Sequence, residues 1–128
     1  MTTERAILLV DDDADVRESI RDALADEGYR VTTAANGREA LLLLKNEDLR
    51  PDLILLDIMM PEMDGWAFRG EQLKDPRLVS IPVIVFTAYG APRDIARQLD
   101  AAGFLKKPLH LDELLSTIAQ ATASGTVN

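Results

Sequence analysis

Five short apolar runs, each separated from the next by a stretch of helical period, constrain this chain more than any other feature. They are Ala6–Val10, Val31-Thr32-Thr33 within Tyr29–Ala35, Leu53–Leu56, Ile81–Phe86 and Phe104-Leu105-Lys106. The third, Leu53-Ile54-Leu55-Leu56, is apolar at every position, as a strand covered by helices on both faces has to be. Between the runs, Val16, Ile20, Ala23 and Leu24 recur at helical spacing, as do Ala40, Leu41 and Leu44. Ile95, Leu99 and Ala102 form a later stripe, and Leu111, Leu114, Leu115 and Ile118 the last. Trp66 and Phe68 open the remaining helix as core or partly buried residues. Strands alternating with helices at this spacing make βαβ units, hence parallel pairing and right-handed crossovers. The chain therefore reads as α/β: one doubly wound domain, a five-stranded parallel sheet with five helices on both faces.

Punctuation residues set the expected boundaries. Asp13 reads as the cap of the first helix rather than as a ligand, and Gly28 as its stop. Asn36 with Glu39 three residues on is a capping box, opening a helix that runs to about Glu47. The leucines of that helix read as core. Lys74-Asp75-Pro76 closes the third helix, and Pro92 suits the first turn of the fourth, which Gly103 ends. Gly70 interrupts the third helix at about 1 kcal/mol against Ala, for no reason visible in the sequence. His110, the only histidine, reads as a cap or surface residue. Residues 2–123 form the domain, and 124–128 a polar tail.

Composition narrows the partners. A net charge of −8 argues against direct binding to nucleic acid. No run approaches the ~20 apolar residues of a membrane helix, and the opening Met-Thr-Thr-Glu-Arg lacks the basic and apolar parts of a secretory signal. The absence of cysteine leaves no disulfide framework and fits a reducing, cytoplasmic setting.

In a parallel sheet all strand carboxyl ends share one edge. Four of the five here end on polar residues: Asp11-Asp12, Asp57, Thr87 and Lys107. These should converge at the edge where open α/β sheets bind ligands. Gathered carboxylates repel one another unless a cation neutralises them. Mg²⁺ favours one or two carboxylates together with water and phosphate oxygens. A hydroxyl and an ammonium opposite them supply what a phosphoryl group needs, and an Asp carboxylate can itself accept that group as a nucleophile. Met59-Met60 reads as loop packing rather than a soft-metal site.

With these residues assembled, the chain resembles a response regulator receiver domain of the CheY-like family over essentially its whole length. The matching stretches are Ile7–Asp12, Leu55–Pro61 with Met63-Asp64-Gly65, Val85–Ala88 and Phe104–Pro108. The resemblance implies the flavodoxin-like strand order 2-1-3-4-5. It implies that Asp57 takes a phosphoryl group from a histidine kinase or a histidine phosphotransfer protein. Asp12, Asp57 and the backbone carbonyl of Met59 would hold Mg²⁺, with Asp11 acting through bound water. Lys107 would pair with Asp57 and then with the phosphoryl group. Thr87 would move inward and Phe104 follow, switching the surface that a downstream output domain or protein reads. Such a domain signals rather than acting as an enzyme, and homodimerisation through its last helices is compatible with the family. Leu109 departs from the family pattern, where an aromatic is common. Met59 and Tyr89, bulky beside the expected site, would shield the phosphoryl group from water.

Two other classes fit parts of the pattern. A hydrolase of the haloacid dehalogenase type also carries a nucleophilic Asp at a strand end, but its second Asp two residues on is replaced here by Met59. An interaction module that works without phosphorylation would have no need of Asp12, Asp57, Thr87 and Lys107 together.

Overall fold

The computed structural model describes residues 5–88 and 90–124. Ten elements alternate without exception: β1 (Ala6–Val10), α1 (Ala14–Asp26), β2 (Arg30–Ala34), α2 (Gly37–Leu44), β3 (Leu53–Asp57), α3 (Gly65–Lys74), β4 (Val83–Thr87), α4 (Pro92–Leu99), β5 (Gly103–Lys106) and α5 (Leu111–Ser124). All strand pairs are parallel, in the order β2-β1-β3-β4-β5. The expected fold class and strand order are both observed.

Strand alternation divides the core in two. Leu8, Val10, Ile54, Leu56, Val83 and Val85 face one way, onto Ala40 and Leu44 of α2, Phe68 of α3 and Leu99 of α4. Ile7, Leu9, Leu53, Leu55, Ile84, Phe86 and Leu105 face the other, onto Ile20 and Leu24 of α1 and Leu114 and Ile118 of α5. Since side chains repeat every two residues along a strand, Asp11, Asp57 and Lys107 continue the α1/α5 face. Thr87 continues the face of Val83 and Val85.

The caps follow the expected chemistry. Asp13 accepts from the N–H groups of Asp15 and Val16 and so opens α1. At the far end Gly28 takes φ +97, with Gly28 N–H bonding Ala25 at 3.0 Å and Tyr29 N–H bonding Leu24 at 3.1 Å. That paired closure is a Schellman motif, which favours a residue without a Cβ. Asn36 Oδ1 accepts from Glu39 N–H, while the Glu39 carboxylate reaches back to the N–H of Ala35.

Several expectations need correction. Helix α2 stops at Leu44 rather than near Glu47, and its Leu42 is 59% exposed, so the leucine run is not all core. Eight residues of helix present only a narrow buried stripe, and Leu42 falls outside it. Helix α4 ends at Leu99, where Asp100 adopts a left-handed φ of +53; Ala102 lies beyond the helix and Gly103 opens β5. Trp66 is exposed, whereas Phe68 is fully buried. His110 is exposed and its carbonyl accepts the N–H of Leu114, beginning α5. Nothing in the structure explains Gly70. Of the expected tail, 124–128, Ser124 is instead the last residue of α5, while 125–128, like Tyr89, lie outside the described residues.

Candidate functional site

The sheet order reverses between β1 and β3, and folds wound this way bind ligands in the crevice at that reversal. Val10 of β1 lies beside Leu56 of β3, so the next residues, Asp11 and Asp57, flank the crevice. Asp11 and Asp57 are buried and Asp12 is exposed; one oxygen from each of the three lies within 4.8 Å of the others. Lys107 arrives from the end of β5, its backbone N–H bonded to the carbonyl of Thr87 at 3.0 Å. The Lys107–Pro108 peptide bond that follows is cis. Lys107 Nζ stands 3.2 Å from Asp11 Oδ2 and 3.3 Å from Asp57 Oδ2, and 5.1 Å from the centre of the Phe86 ring beneath it.

Burial of Asp57, reinforced by the negative charge of Asp11, pushes its carboxyl up to about 7 despite the opposing charge of Lys107. Burial works against the Lys107 ammonium, but Asp57 and Asp11 outweigh it and hold its pKa above the ordinary value. Asp11 Oδ1 accepts the N–H of Asp13 at 2.9 Å, whereas Oδ2 is buried with no hydrogen-bond partner among the described residues. Oδ2 forms an ion pair with the Lys107 ammonium at 3.2 Å. A buried carboxylate oxygen left this way, among three acidic groups, suits a hard cation with oxygen ligands.

Thr87 closes β4 and is buried. Met59, two residues past Asp57, is 55% exposed at the rim. Phe104 is 40% exposed, with the Arg93 guanidinium of α4 lying 5.6 Å from its ring centre. Asp11, Asp12, Asp57 and Lys107 are thus brought together, Thr87 and Met59 border them, and Phe104 lies outward on β5. Beside Lys107 a hollow of about 500 Å³ opens between α1 and the turn after β5, lined by Val16, Ile20, Ala88, Pro108 and Leu109. A hollow of about 510 Å³ between α2 and α3 is lined by none of these groups.

The loop after Asp57 is held by close approach. Asp64 caps α3 through the N–H of Ala67, and Gly65 N–H bonds the carbonyl of Ile58 at 2.9 Å. A Cβ on Gly65 would stand 2.9 Å from the Asp57 carbonyl oxygen and 2.8 Å from Ile58 Cδ1, so glycine lets α3 begin against the acidic strand end.

Two arginines escaped the reading of the sequence. Arg17 Nη1 donates to the carbonyl of Asp11 at 2.7 Å. Arg69 is buried in α3, donating through Nε to Leu99 O at 2.9 Å, through Nη2 to Asp100 O at 2.9 Å and through Nη1 to Gln72 Oε1 at 2.8 Å. Burial draws the Arg69 pKa below its usual value, against the pull of Asp100.

Fold and pocket together define a class: a small doubly wound α/β domain with acidic groups and a lysine at its topological switch point. The profile of the response regulator receiver domain matches residues 7–119, and the chain belongs to that family. It is 43% identical over 112 residues to the response regulator MprA of Mycolicibacterium vanbaalenii, a match covering 86% of this chain and 47% of MprA. It is 39% identical to the response regulator Rre1 of Synechocystis, over 92% of this chain and 52% of Rre1. A 14.6 kDa protein from the sodA1 3′ region of Leptolyngbya boryana is 40% identical, over 89% of this chain and 87% of its own length. The chain thus spans about half the length of the two named regulators. Among solved structures, the receiver domain of a signal transduction histidine kinase from Syntrophus aciditrophicus superposes with a TM-score of 0.84 at 36% identity, covering 97% of this chain and 94% of that one. The chemotaxis response regulator CheY4 of Vibrio cholerae gives 0.84 at 32% identity, over 93% and 99%. Receiver domains belong to two-component systems and are signalling domains rather than enzymes in the ordinary sense. No helix among the described residues is long and apolar enough to cross a membrane.

Proposed function

We propose that this chain is a phosphoryl-accepting switch in a cytoplasmic phosphorelay, with Asp57 as the acceptor and residues 2–123 as the receiver unit. The observation that carries the proposal is Lys107 Nζ at 3.3 Å from Asp57 Oδ2, inside a cluster of three carboxylates. A carboxylate oxygen of Asp57 attacks the phosphorus of a phosphohistidine on a histidine kinase or histidine phosphotransfer protein. The P–N bond breaks, its electron pair leaves with the imidazole, and an acyl phosphate remains on Asp57. Lys107 holds Asp57 before transfer and meets a phosphoryl oxygen afterwards; Thr87 donates its hydroxyl to another. A donor would dock against the hollow between α1 and Pro108, which Lys107 lines.

Mg²⁺ fits the donor set. Asp12, Asp57 and the Met59 backbone carbonyl would hold it, with Asp11 acting through bound water. When bound it supplies neutralising charge to the carboxylates and to the phosphoryl oxygens. Movement of Thr87 toward the phosphoryl group frees room behind it for Phe104 to leave Arg93. The surface of β5 and its neighbouring helices, read by an output domain or protein or by a second copy, changes with it. Met59 at the rim restricts the approach of water, so a smaller side chain there shortens the life of the acyl phosphate.

Transfer of labelled phosphoryl from a phosphorylated histidine phosphotransfer protein, followed by hydroxylamine, tests the acceptor. The label should reach the chain, be released by hydroxylamine as an acyl phosphate is, and be absent from Asp57→Asn. Label that resists hydroxylamine would place the group on a hydroxyl and contradict the assignment. No transfer from any donor, with the chain folded, would favour a module that binds partners without phosphorylation.

A further inference from the structure

Asp12 is exposed, so packing does not hold its carboxylate beside Asp57; its backbone has to. That backbone is fixed from the residue before it. Asp11 N–H donates to Ala34 O at 3.1 Å, Asp11 Oδ1 accepts the N–H of Asp13 at 2.9 Å, and Asp11 O accepts Nη1 of Arg17 at 2.7 Å. The last of these bonds fixes a carbonyl one residue beyond the β1 ladder, in the peptide that joins Asp11 to Asp12. A peptide unit is planar, so fixing its carbonyl also fixes the N–H of Asp12 and the direction in which the Asp12 Cα leaves.

Arg17 is itself anchored. Its own N–H bonds Asp13 O at 2.8 Å, and Asp13 caps the helix that carries it. The strand end and the first turns of α1 thus close on each other through one guanidinium. The bond is short and carries full charge on the donor, which places it among the stronger kinds. We infer that Arg17 is a positioning residue for the acidic pocket: by fixing the Asp11–Asp12 peptide it presents the Asp12 carboxylate beside Asp57 for a divalent cation. This rests on the proposed Mg²⁺ site. Loss of an outer partner of a metal ligand weakens metal binding by roughly 10–100-fold in known sites.

Arg17→Met keeps the side chain's bulk and removes the donor; Arg17→Lys keeps a cationic donor without the fork. Calorimetric titration with Mg²⁺ in place of any phosphodonor should show Arg17→Met weakened about tenfold or more, with Arg17→Lys between it and the parent. In the metal-free proteins, amide exchange at Asp12 and Asp13 should quicken in Arg17→Met while the strands stay protected. Phosphorylation by acetyl phosphate should then slow at low Mg²⁺ and recover at saturating Mg²⁺. Equal Mg²⁺ affinity in all three proteins, even with a lowered melting temperature, would overturn the inference and leave Arg17 a structural residue. If Arg17→Met does not fold, a parent-like affinity in Arg17→Lys and in Arg17→Gln would overturn it equally. No Mg²⁺ binding by the parent would instead bring down the site on which the inference rests.

Discussion

Asp57 is held at a cost that the metal-free fold bears. Its folded pKa of about 7 lies above the unfolded carboxylate value, so the folded state binds the proton more tightly. The sign follows: the group favours the fold fully below about pH 4, and that contribution is lost as pH rises toward 7. Asp57→Asn carries no such charge and leaves Lys107 paired with Asp11. Without divalent cation, the variant should melt above the parent at pH 8 by roughly 5 °C, and the gap should narrow toward pH 5. Thermal melts across that range decide it; a variant less stable at pH 8 would show that Asp57 is held by Lys107 rather than strained by burial. The acidic residues and Lys107 were legible because strand ends are legible, and the same parity that buries Leu53 and Leu55 places Asp57 with them. Arg17 and Arg69 were not. An arginine in the polar stripe of a helix looks like a solvated charge, and only the packed fold reveals which carbonyls it meets.

Helix α4 shows how elements are set by contacts distant in sequence. Its C-terminal carbonyls at Leu99 and Asp100 are taken by Arg69 of α3, whose partner Gln72 donates in turn to Leu78 O and Ile81 O at 2.9 and 3.0 Å. Two helices and the loop before β4 are tied by two buried polar side chains. Arg69→Met would leave those carbonyls and the Gln72 oxygen without donors, which costs on the order of 3 kcal/mol. A urea titration should show that loss, with unchanged dependence on denaturant. A change below about 0.5 kcal/mol would mean that the carbonyls find other donors. This tie also sets the end of α4 short of the point that periodicity indicates. Helical spacing carried the stripe on to Ala102, and Gly103 looked like the stop, but the left-handed turn falls on Asp100. The early end of α2 is made locally instead: Lys45 N–H bonds Leu41 O at 3.1 Å, Asn46 N–H bonds Leu43 O at 3.1 Å, and the chain turns away toward β3. Elements were legible from periodicity; the end of α4 depended on carbonyls that found a tertiary partner in Arg69.

For the whole molecule, the alternation of runs was enough to place it as a doubly wound parallel sheet, and a parallel sheet leaves its strand ends no choice of side; the receiver fold and its strand order came from the resemblance of its motifs. What lay beyond reach was the split of the core into two faces with the acidic groups and Lys107 on one and Thr87 continuing the other, which needs the register between strands. A chain of net charge −8 that gathers three carboxylates at one edge should gain stability from a bound divalent cation. At a hundredfold excess over the dissociation constant, Mg²⁺ should add about 2.7 kcal/mol, seen as a higher melting temperature, and Asp12→Asn should lose most of the gain. An equal rise in parent and variant would place the cation elsewhere. Phosphoryl acceptance by Asp57 is read most directly from intact-protein mass after incubation with acetyl phosphate, with and without Mg²⁺, beside Asp57→Asn. The chain should gain the mass of one phosphoryl group, and only with both Mg²⁺ and Asp57 present. A gain that survives Asp57→Asn, or no gain in the folded parent with Mg²⁺ present, would contradict that role for Asp57.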